Sequence, residues 1–362
     1  MTIDSSVVNS PNTTALSLSE DEQDEITTST SSSSPISSIP HAKEIFAIRK
    51  EIKLAETKFR TSYPILQYQD QIGLSIWLVS FIWIFSLIYI YYTYYPSYYL
   101  LPIAAIPYSL LHELEHDIIH NLYYRTKPWI QDIMFLGIWI GKLSLSPWVR
   151  KDLHLLHHKR SGQIDDIEER LLGLGMPSFF LRVCTAIFPP IGLLYIRQIQ
   201  HDTTWRLLRG TKCSKERWLQ RIDLLFIASP IIIIYLTYRN YEWAKLIYIL
   251  WIGPNMLRHA CLALLSSYSH YYGDITPGDI TQQNQILNSW WIFPFQWFAC
   301  NFGAEHIIHH FVVGQPFYIR HFIRYEAWKV MKQYGIREND FDIVQRANRF
   351  GEYSITKNHK KD

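Results

Sequence analysis

The feature that most constrains the fold of this chain is a long stretch without formal charge. Residues 71–111 contain no Lys, Arg, Asp or Glu. A helix needs about 20 apolar residues to cross the hydrocarbon core of a bilayer, so this stretch is long enough for two crossings. Pro96 lies near its middle among several tyrosines, a residue type that is common at membrane interfaces. The stretch therefore predicts a transmembrane helical hairpin that turns at Pro96.

A second apolar pair follows after a long polar interval. Residues 224–238 and 246–257 carry no charge, and a short polar turn separates them. The second member is expected to continue as a helix towards Ser267, which would place Arg258 and His259 at or inside the membrane boundary. Lys and Arg are concentrated outside the two pairs, so the positive-inside rule places both termini and the middle loop in the cytosol. We expect an all-α integral membrane protein with four transmembrane helices in two hairpins and a cytosolic helical cap.

The composition of the chain changes along its length and predicts four parts. Residues 1–40 are rich in Ser and Thr and poor in apolar side chains, which predicts a disordered tail. Residues 41–70 are expected to form a cytosolic amphipathic or linker segment, residues 71–325 the membrane domain, and residues 326–362 a cytosolic C-terminal segment. The net charge of +3 offers no basic field for nucleic acid. The four cysteines form no CxxC pair, which argues against a disulfide framework and a thiolate zinc site.

Eight of the 15 histidines fall into three compact groups. Residues three or four apart share one face of a helix, so each group directs its imidazole rings the same way. Imidazole binds iron, zinc or copper, and eight rings are too many for one four-coordinate zinc ion but suit two metal ions. The groups are His112 with His116, then His154, His157 and His158, then His306, His309 and His310.

The ordered motifs HxxxH, HxxHH and HxxHH, set around two predicted hairpins, resemble the membrane fatty acid desaturase superfamily. The resemblance covers roughly residues 73–317. It implies an O2-dependent oxidoreductase of lipid metabolism that introduces a double bond into a fatty acyl chain at a histidine-coordinated centre of two iron ions. A lipid hydroxylase or alkane-type monooxygenase with the same metal site is the alternative. A membrane metal transporter is a third hypothesis, but it is expected to place its ligands in mid-membrane, whereas these motifs lie at helix ends.

The resemblance also implies a ninth histidine at the cytosolic end of the fourth span. His270 falls at the corresponding place. His259 and His120 are the alternatives, and His120 lies one helical turn after His116. Eleven residues of helix rise about 16 Å, so one site is not expected to use both His259 and His270. The implied metal ligands are His112, His116, His154, His157, His158, His270, His306, His309 and His310, with no other catalytic residue and no organic cofactor.

Carboxylates beside the histidines are candidates for holding the imidazole rings in place. A metal-bound imidazole generally donates its other N–H to a carboxylate or a carbonyl. For Glu168 and Glu169 a solvated acidic loop is the favoured interpretation. The candidates are Glu113, Glu115, Asp117, Asp152, Asp165, Asp166, Glu168, Glu169 and Glu305.

The partners and the location follow from the same resemblance. The sequence has no recognisable haem-binding or dinucleotide-binding segment, so electrons are expected from an external donor such as cytochrome b5 or ferredoxin. The expected partners are a lipid acyl substrate and the bilayer, with no nucleic acid. The chain is expected to be a multi-pass protein, of the endoplasmic reticulum membrane if it is eukaryotic. The aromatic residues of 290–298 either line an acyl tunnel or anchor the protein at the membrane interface.

Overall fold

The computed structural model describes residues 41–94, 96–142, 145–171, 217–344 and 348–351, with single residues at 173, 178, 180, 182, 184 and 346. The predicted disordered tail lies outside these residues. Throughout the described ranges the regular elements are helices, and the only β-type pairing there consists of isolated bridges. The prediction of an all-α fold is therefore confirmed.

The charge-free stretch forms two helices, α2 (Gln69–Thr93) and α3 (Leu100–Ile119), which separate around Pro96 where the turn is predicted. Helix α2 is long and apolar enough to cross a membrane, and within the described residues it is the one helix that clearly meets this criterion. Its outward side chains remain exposed, for example Ile82 at 63% and Phe85 at 64%, as expected of a surface that faces lipid. Its other face packs against α3.

The second apolar pair is also helical. Helix α7 (Arg217–Tyr238) precedes the polar turn, and α8 (Glu242–Ile247), a π-helical turn (Tyr248–Ile252) and α9 (Gly253–Ser269) follow it as one continuous helix. The helix runs through Arg258 to Ser269, as predicted. Pro254 has no N–H to donate to the carbonyl four residues earlier, and the π-helical turn lies directly before it. Within the described residues, the apolar segment of α7 is 228–238.

The remaining helices form a cap that carries the second and third histidine groups. Helix α1 (Ala42–Ser62) packs against α12 (Phe302–Phe311) and α13 (Phe317–Gln333) through a core that includes Ile48, Ile52, Ile308 and Met331. This core fixes the orientation of α12, which holds the third histidine group. The cap helices are α1 (Ala42–Ser62), α4 (Pro128–Lys142), α5 (Pro147–Arg160), α6 (Ile167–Leu171), α10 (Ile280–Gln283), α11 (Phe293–Trp297), α12 (Phe302–Phe311) and α13 (Phe317–Gln333).

Candidate metal centre

Nine imidazole side chains, carried by α3, α5 and α12 and by the residues that directly follow α3 and α9, converge into two adjoining groups. Within each group the candidate ligand atoms, one from each residue, all lie within 4.8 Å of one another. The two groups also lie close to each other. The ring centroids of His158 and His310, one from each group, are 4.9 Å apart. Group A is His116, His120, His154, His158 and His309, and group B is His157, His270, His306 and His310.

Helical spacing explains how one short motif serves both groups. His154 and His158 are four residues apart on α5 and share the face that contributes to group A. His157 is turned by about 100° from His158, which places it in group B. In α12 the division is reversed, because the pair four residues apart belongs to group B and His309 belongs to group A. Each HxxHH motif therefore contributes to both groups.

The structure brings eight of the nine predicted ligands into these groups. The exception is His112, which belongs to neither group among the residues that the structure describes. His120 is in group A instead, and its Nε2 lies 3.0 Å from Nε2 of His154. The sequence contained the signal for this, since His112, His116 and His120 form two equivalent HxxxH pairs on one helical face. Spacing alone does not choose between the pairs, and the position of α5 and α12 at the end of α3 does.

His270 is in group B, and the alternative, His259, is in neither group. His270 lies just beyond the end of α9 with extended backbone angles, φ −105° and ψ 141°. Its Nε2 lies 3.0 Å from Nε2 of His306. The backbone leaves the helix at His270, and the imidazole ring of this residue therefore points towards the third histidine motif.

Two carboxylates, Asp166 and the mostly buried Glu168, determine which ring nitrogen of their histidine partners faces each group. Nδ1 of His154 lies 2.7 Å from Glu168, and Nδ1 of His157 lies 2.8 Å from Asp166. An ionised carboxylate only accepts hydrogen bonds, so Nδ1 is the donor and Nε2 faces the group. Burial lowers the pKa of His157, but the charge and the hydrogen bond of Asp166 outweigh burial and raise the pKa to about 10. These two rings are therefore held in one orientation.

The expectation of a solvated loop at Glu168 and Glu169 is wrong. Glu168 accepts from His154 and from Arg150, whose Nε lies 3.3 Å away. Glu169 is buried, lies 3.3 Å from Nδ1 of His270, and accepts from the hydroxyl of Ser266 at 2.9 Å. The sequence of this acidic run is typical of a surface loop. Its burial is not evident from the local sequence, because the residues that it contacts lie on α5 and at the end of α9.

The spacing of the ring nitrogens fits metal ions. The Nε2 atoms of His154 and His158 lie 3.1 Å apart, and those of His158 and His309 lie 2.9 Å apart. An ion that binds imidazole nitrogens at ~2.1 Å separates two ligands at right angles by ~3 Å. Both ring nitrogens of His116 are buried without a hydrogen-bond partner in the described residues. Buried polar atoms normally have a partner, so a metal ion would complete this site.

The loop after α9 is held by a residue far along the chain. The side-chain amide of Asn348 donates to the carbonyls of Ser267 at 2.8 Å and His270 at 3.1 Å. The backbone N–H of Tyr272 donates to the carbonyl of Asn348 at 2.7 Å. Because His270 lies outside the helix, these contacts help to fix its backbone. No motif in the sequence points to Asn348.

Replacing Asp166 with Asn is expected to lower metal affinity 10- to 100-fold, the usual effect of removing a group that orients a metal-bound imidazole. The matched control is Asp165→Asn, because Asp165 pairs at 3.5 Å with the more exposed Arg160 and contacts no histidine of either group in the described structure. The measurement is the metal retained by each purified variant after dialysis against a chelator. Equal retention in the two variants would contradict the assigned role of Asp166.

Comparison with known proteins identifies the family. The model of the family described as Fatty acid desaturase matches residues 93–342. That range contains all nine histidines of groups A and B. A search of curated proteins finds no match. Because the family model covers well over half of the chain and includes both histidine groups, this chain belongs to the fatty acid desaturase family.

Proposed function

We propose that this protein is an O2-dependent oxidoreductase of lipid metabolism that introduces a double bond into a fatty acyl chain. The observation that carries the proposal is the pair of adjoining histidine groups in a chain of the fatty acid desaturase family. That family generally uses iron and acts on lipid acyl chains. A hydroxylase or monooxygenase would use the same groups, and the reaction product distinguishes the two activities.

Groups A and B would each hold one iron ion. Two bound iron ions would supply the activation of O2 and the removal of hydrogen from an unactivated methylene group. The chain itself supplies the arrangement of the ligands. Asp166 and Glu168 accept the Nδ1–H of His157 and His154 and so direct the Nε2 atoms of both rings towards the groups.

The proposed membrane arrangement has four spans, α2, α3, α7 and the continuous helix from α8 to α9. Support comes from the hydropathy of α2 and from the length of the continuous helix, which is about 40 Å at 1.5 Å per residue. The cap would face the cytosol because Lys and Arg are concentrated in it.

The proposed domain limits are 1–40 for a tail, 41–70 for a cytosolic segment, 71–325 for the desaturase domain and 326–362 for a C-terminal segment. In a eukaryotic cell the proposed location is the endoplasmic reticulum membrane. The proposed electron source is an external donor such as cytochrome b5 or ferredoxin.

The test of this function is the lipid profile of a host that expresses either the wild type or the double variant His157→Ala, His158→Ala. New unsaturated acyl chains are expected with the wild type and not with the variant, because the variant loses one ligand from each group. His41→Ala is the control, since His41 is half exposed and pairs with Asp279 away from both groups. New hydroxylated chains would move the assignment to a hydroxylase. A purified wild type that binds no iron would contradict the di-iron proposal.

A further inference from the structure

A second polar cluster lies between α3, α4 and α9, outside groups A and B. We call it the basic cluster, and it consists of His112, Lys142 and Arg258. The carbonyl of Gly141, next to Lys142, accepts from the side-chain amide of Asn255 at 2.9 Å. The side-chain oxygen of the same Asn255 accepts from Nε of Arg258 at 3.4 Å. Glu115, the partner of Lys142, lies three residues after His112 on the same face of α3, which places His112 beside this group.

The basic cluster holds more buried cations than it has carboxylates to pair with them. Lys142 is 1% exposed and pairs with Glu115, which also pairs with Arg150 at 3.1 Å. Arg258 is 3% exposed and forms no ion pair of its own within the described part of the chain, and the carboxylate that acts on it most strongly is Glu115, which already pairs with Lys142 and Arg150. Its one hydrogen bond there is the long contact with Asn255. Buried positive charge in excess of its carboxylate partners is unfavourable, so an anion from outside the chain would stabilise this arrangement.

An unused imidazole nitrogen lies in the same cluster. Nδ1 of His112 is buried and has no hydrogen-bond partner among the described residues. His112 also lies outside both metal groups, so neither metal site uses its ring. Guanidinium and imidazole N–H groups together form strong, charge-assisted hydrogen bonds to the oxygen atoms of carboxylates and phosphates. The cluster therefore offers the donors that an oxyanion needs.

The position of the cluster relates it to the metal centre. His112 precedes the group A residue His116 by one helical turn, a rise of about 6 Å, on the side of the charge-free part of α3. Arg258 precedes His270 by twelve residues along α9, a rise of about 18 Å, and so lies on the same side of the metal centre as His112. Ionisable residues that face the interior of a membrane protein commonly mark the path of a substrate. A ligand bound at the cluster would therefore lie beside the metal centre and within the helical bundle.

We propose that His112 and Arg258 bind the oxyanion head group of a single-chain lipid. This inference rests on the proposed function and deepens it, because it assigns a charged head group to the substrate class. Carboxylate and phosphate head groups share the required chemistry. An ester of the same chain lacks the negative charge that Arg258 would pair with.

The test is the binding of three ligands to the full-length protein in nanodiscs of neutral lipid, corrected with empty nanodiscs. The ligands are palmitate, methyl palmitate and hexadecyl phosphate. The wild type is expected to bind at least one of the two anions about tenfold more tightly than the ester, and Arg258→Met is expected to lose this preference. Arg258→Lys should retain most of it, because it keeps the charge. Arg239→Met removes an exposed arginine at the turn before α8 and is the matched control, with the preference of the wild type.

The pattern of binding identifies the head group. A preference for palmitate assigns a carboxylate, a preference for hexadecyl phosphate assigns a phosphate, and both outcomes support the oxyanion site. Equal binding of the anions and the ester by the wild type would overturn the inference, as would an unchanged preference in Arg258→Met. His112→Gln provides a second variant in case Arg258→Met does not fold, and it should also weaken the preference. Binding requires no O2, electron donor or turnover, so this result is independent of the lipid-profile test.

Discussion

Replacing His120 with Ala is expected to leave about one iron ion per chain after dialysis against a chelator and to reduce turnover by at least about 100-fold. The reason is that His120 contributes to group A, where its Nε2 lies 3.0 Å from Nε2 of His154. Loss of a residue that merely orients a ligand already costs up to about 100-fold in affinity or activity. His112→Ala is the matched variant on the same helical face, and it is expected to retain both ions because His112 lies in neither group.

The iron content of the two variants, measured by mass spectrometry of the purified proteins, decides between two interpretations of the HxxxH pairs. An effect of His112→Ala should instead appear in the binding of the lipid head group. If His112→Ala lost iron and His120→Ala kept it, the first histidine motif would supply its ligands from His112 and His116, as the resemblance in sequence implies.

Replacing Arg320 with Met is expected to destabilise the protein by about 3–5 kcal/mol, the usual cost of removing one partner of a buried ion pair. Arg320 is 2% exposed and lies between two carboxylates of α3, at 3.2 Å from Asp117 and 3.5 Å from Glu113. It also donates to the carbonyl of Gln315 at 2.7 Å. Without the guanidinium, two buried carboxylates would lose their cation next to group A.

The control for Arg320 lies one turn later on the same helix. Arg324 donates to the carbonyl of His321 within α13 and lies over the ring of Tyr325 at 4.7 Å, without an ion pair to a described carboxylate. Arg324→Met is expected to change stability by less than about 1 kcal/mol. Thermal unfolding of the purified variants, followed by tryptophan fluorescence, measures the difference. Equal shifts in midpoint for the two variants would show that the pairs of Arg320 contribute no more than a surface contact.

The acidic run after α5 shows where inference from sequence fails in this protein. Local composition favours solvent for Glu168 and Glu169, because four carboxylates occur within five residues. Their partners, His154 on α5 and His270 beyond α9, become neighbours only when α6 packs between α5 and the end of α9. The contact of Asn348 with the backbone of His270 is of the same kind, since it joins residues 78 positions apart.

The sequence by itself determined the features that depend on local periodicity. The charge-free stretch at 71–111 specifies helices α2 and α3 because apolar surface of that length has to face lipid or protein. The HxxHH spacing specifies that each motif presents its imidazoles from one side of a helix. The tertiary structure alone decided how the histidines divide between groups A and B, and that His120 rather than His112 joins group A. Those outcomes depend on how α3, α5, α9 and α12 pack together, and contacts between distant helices leave no periodic signal in the sequence.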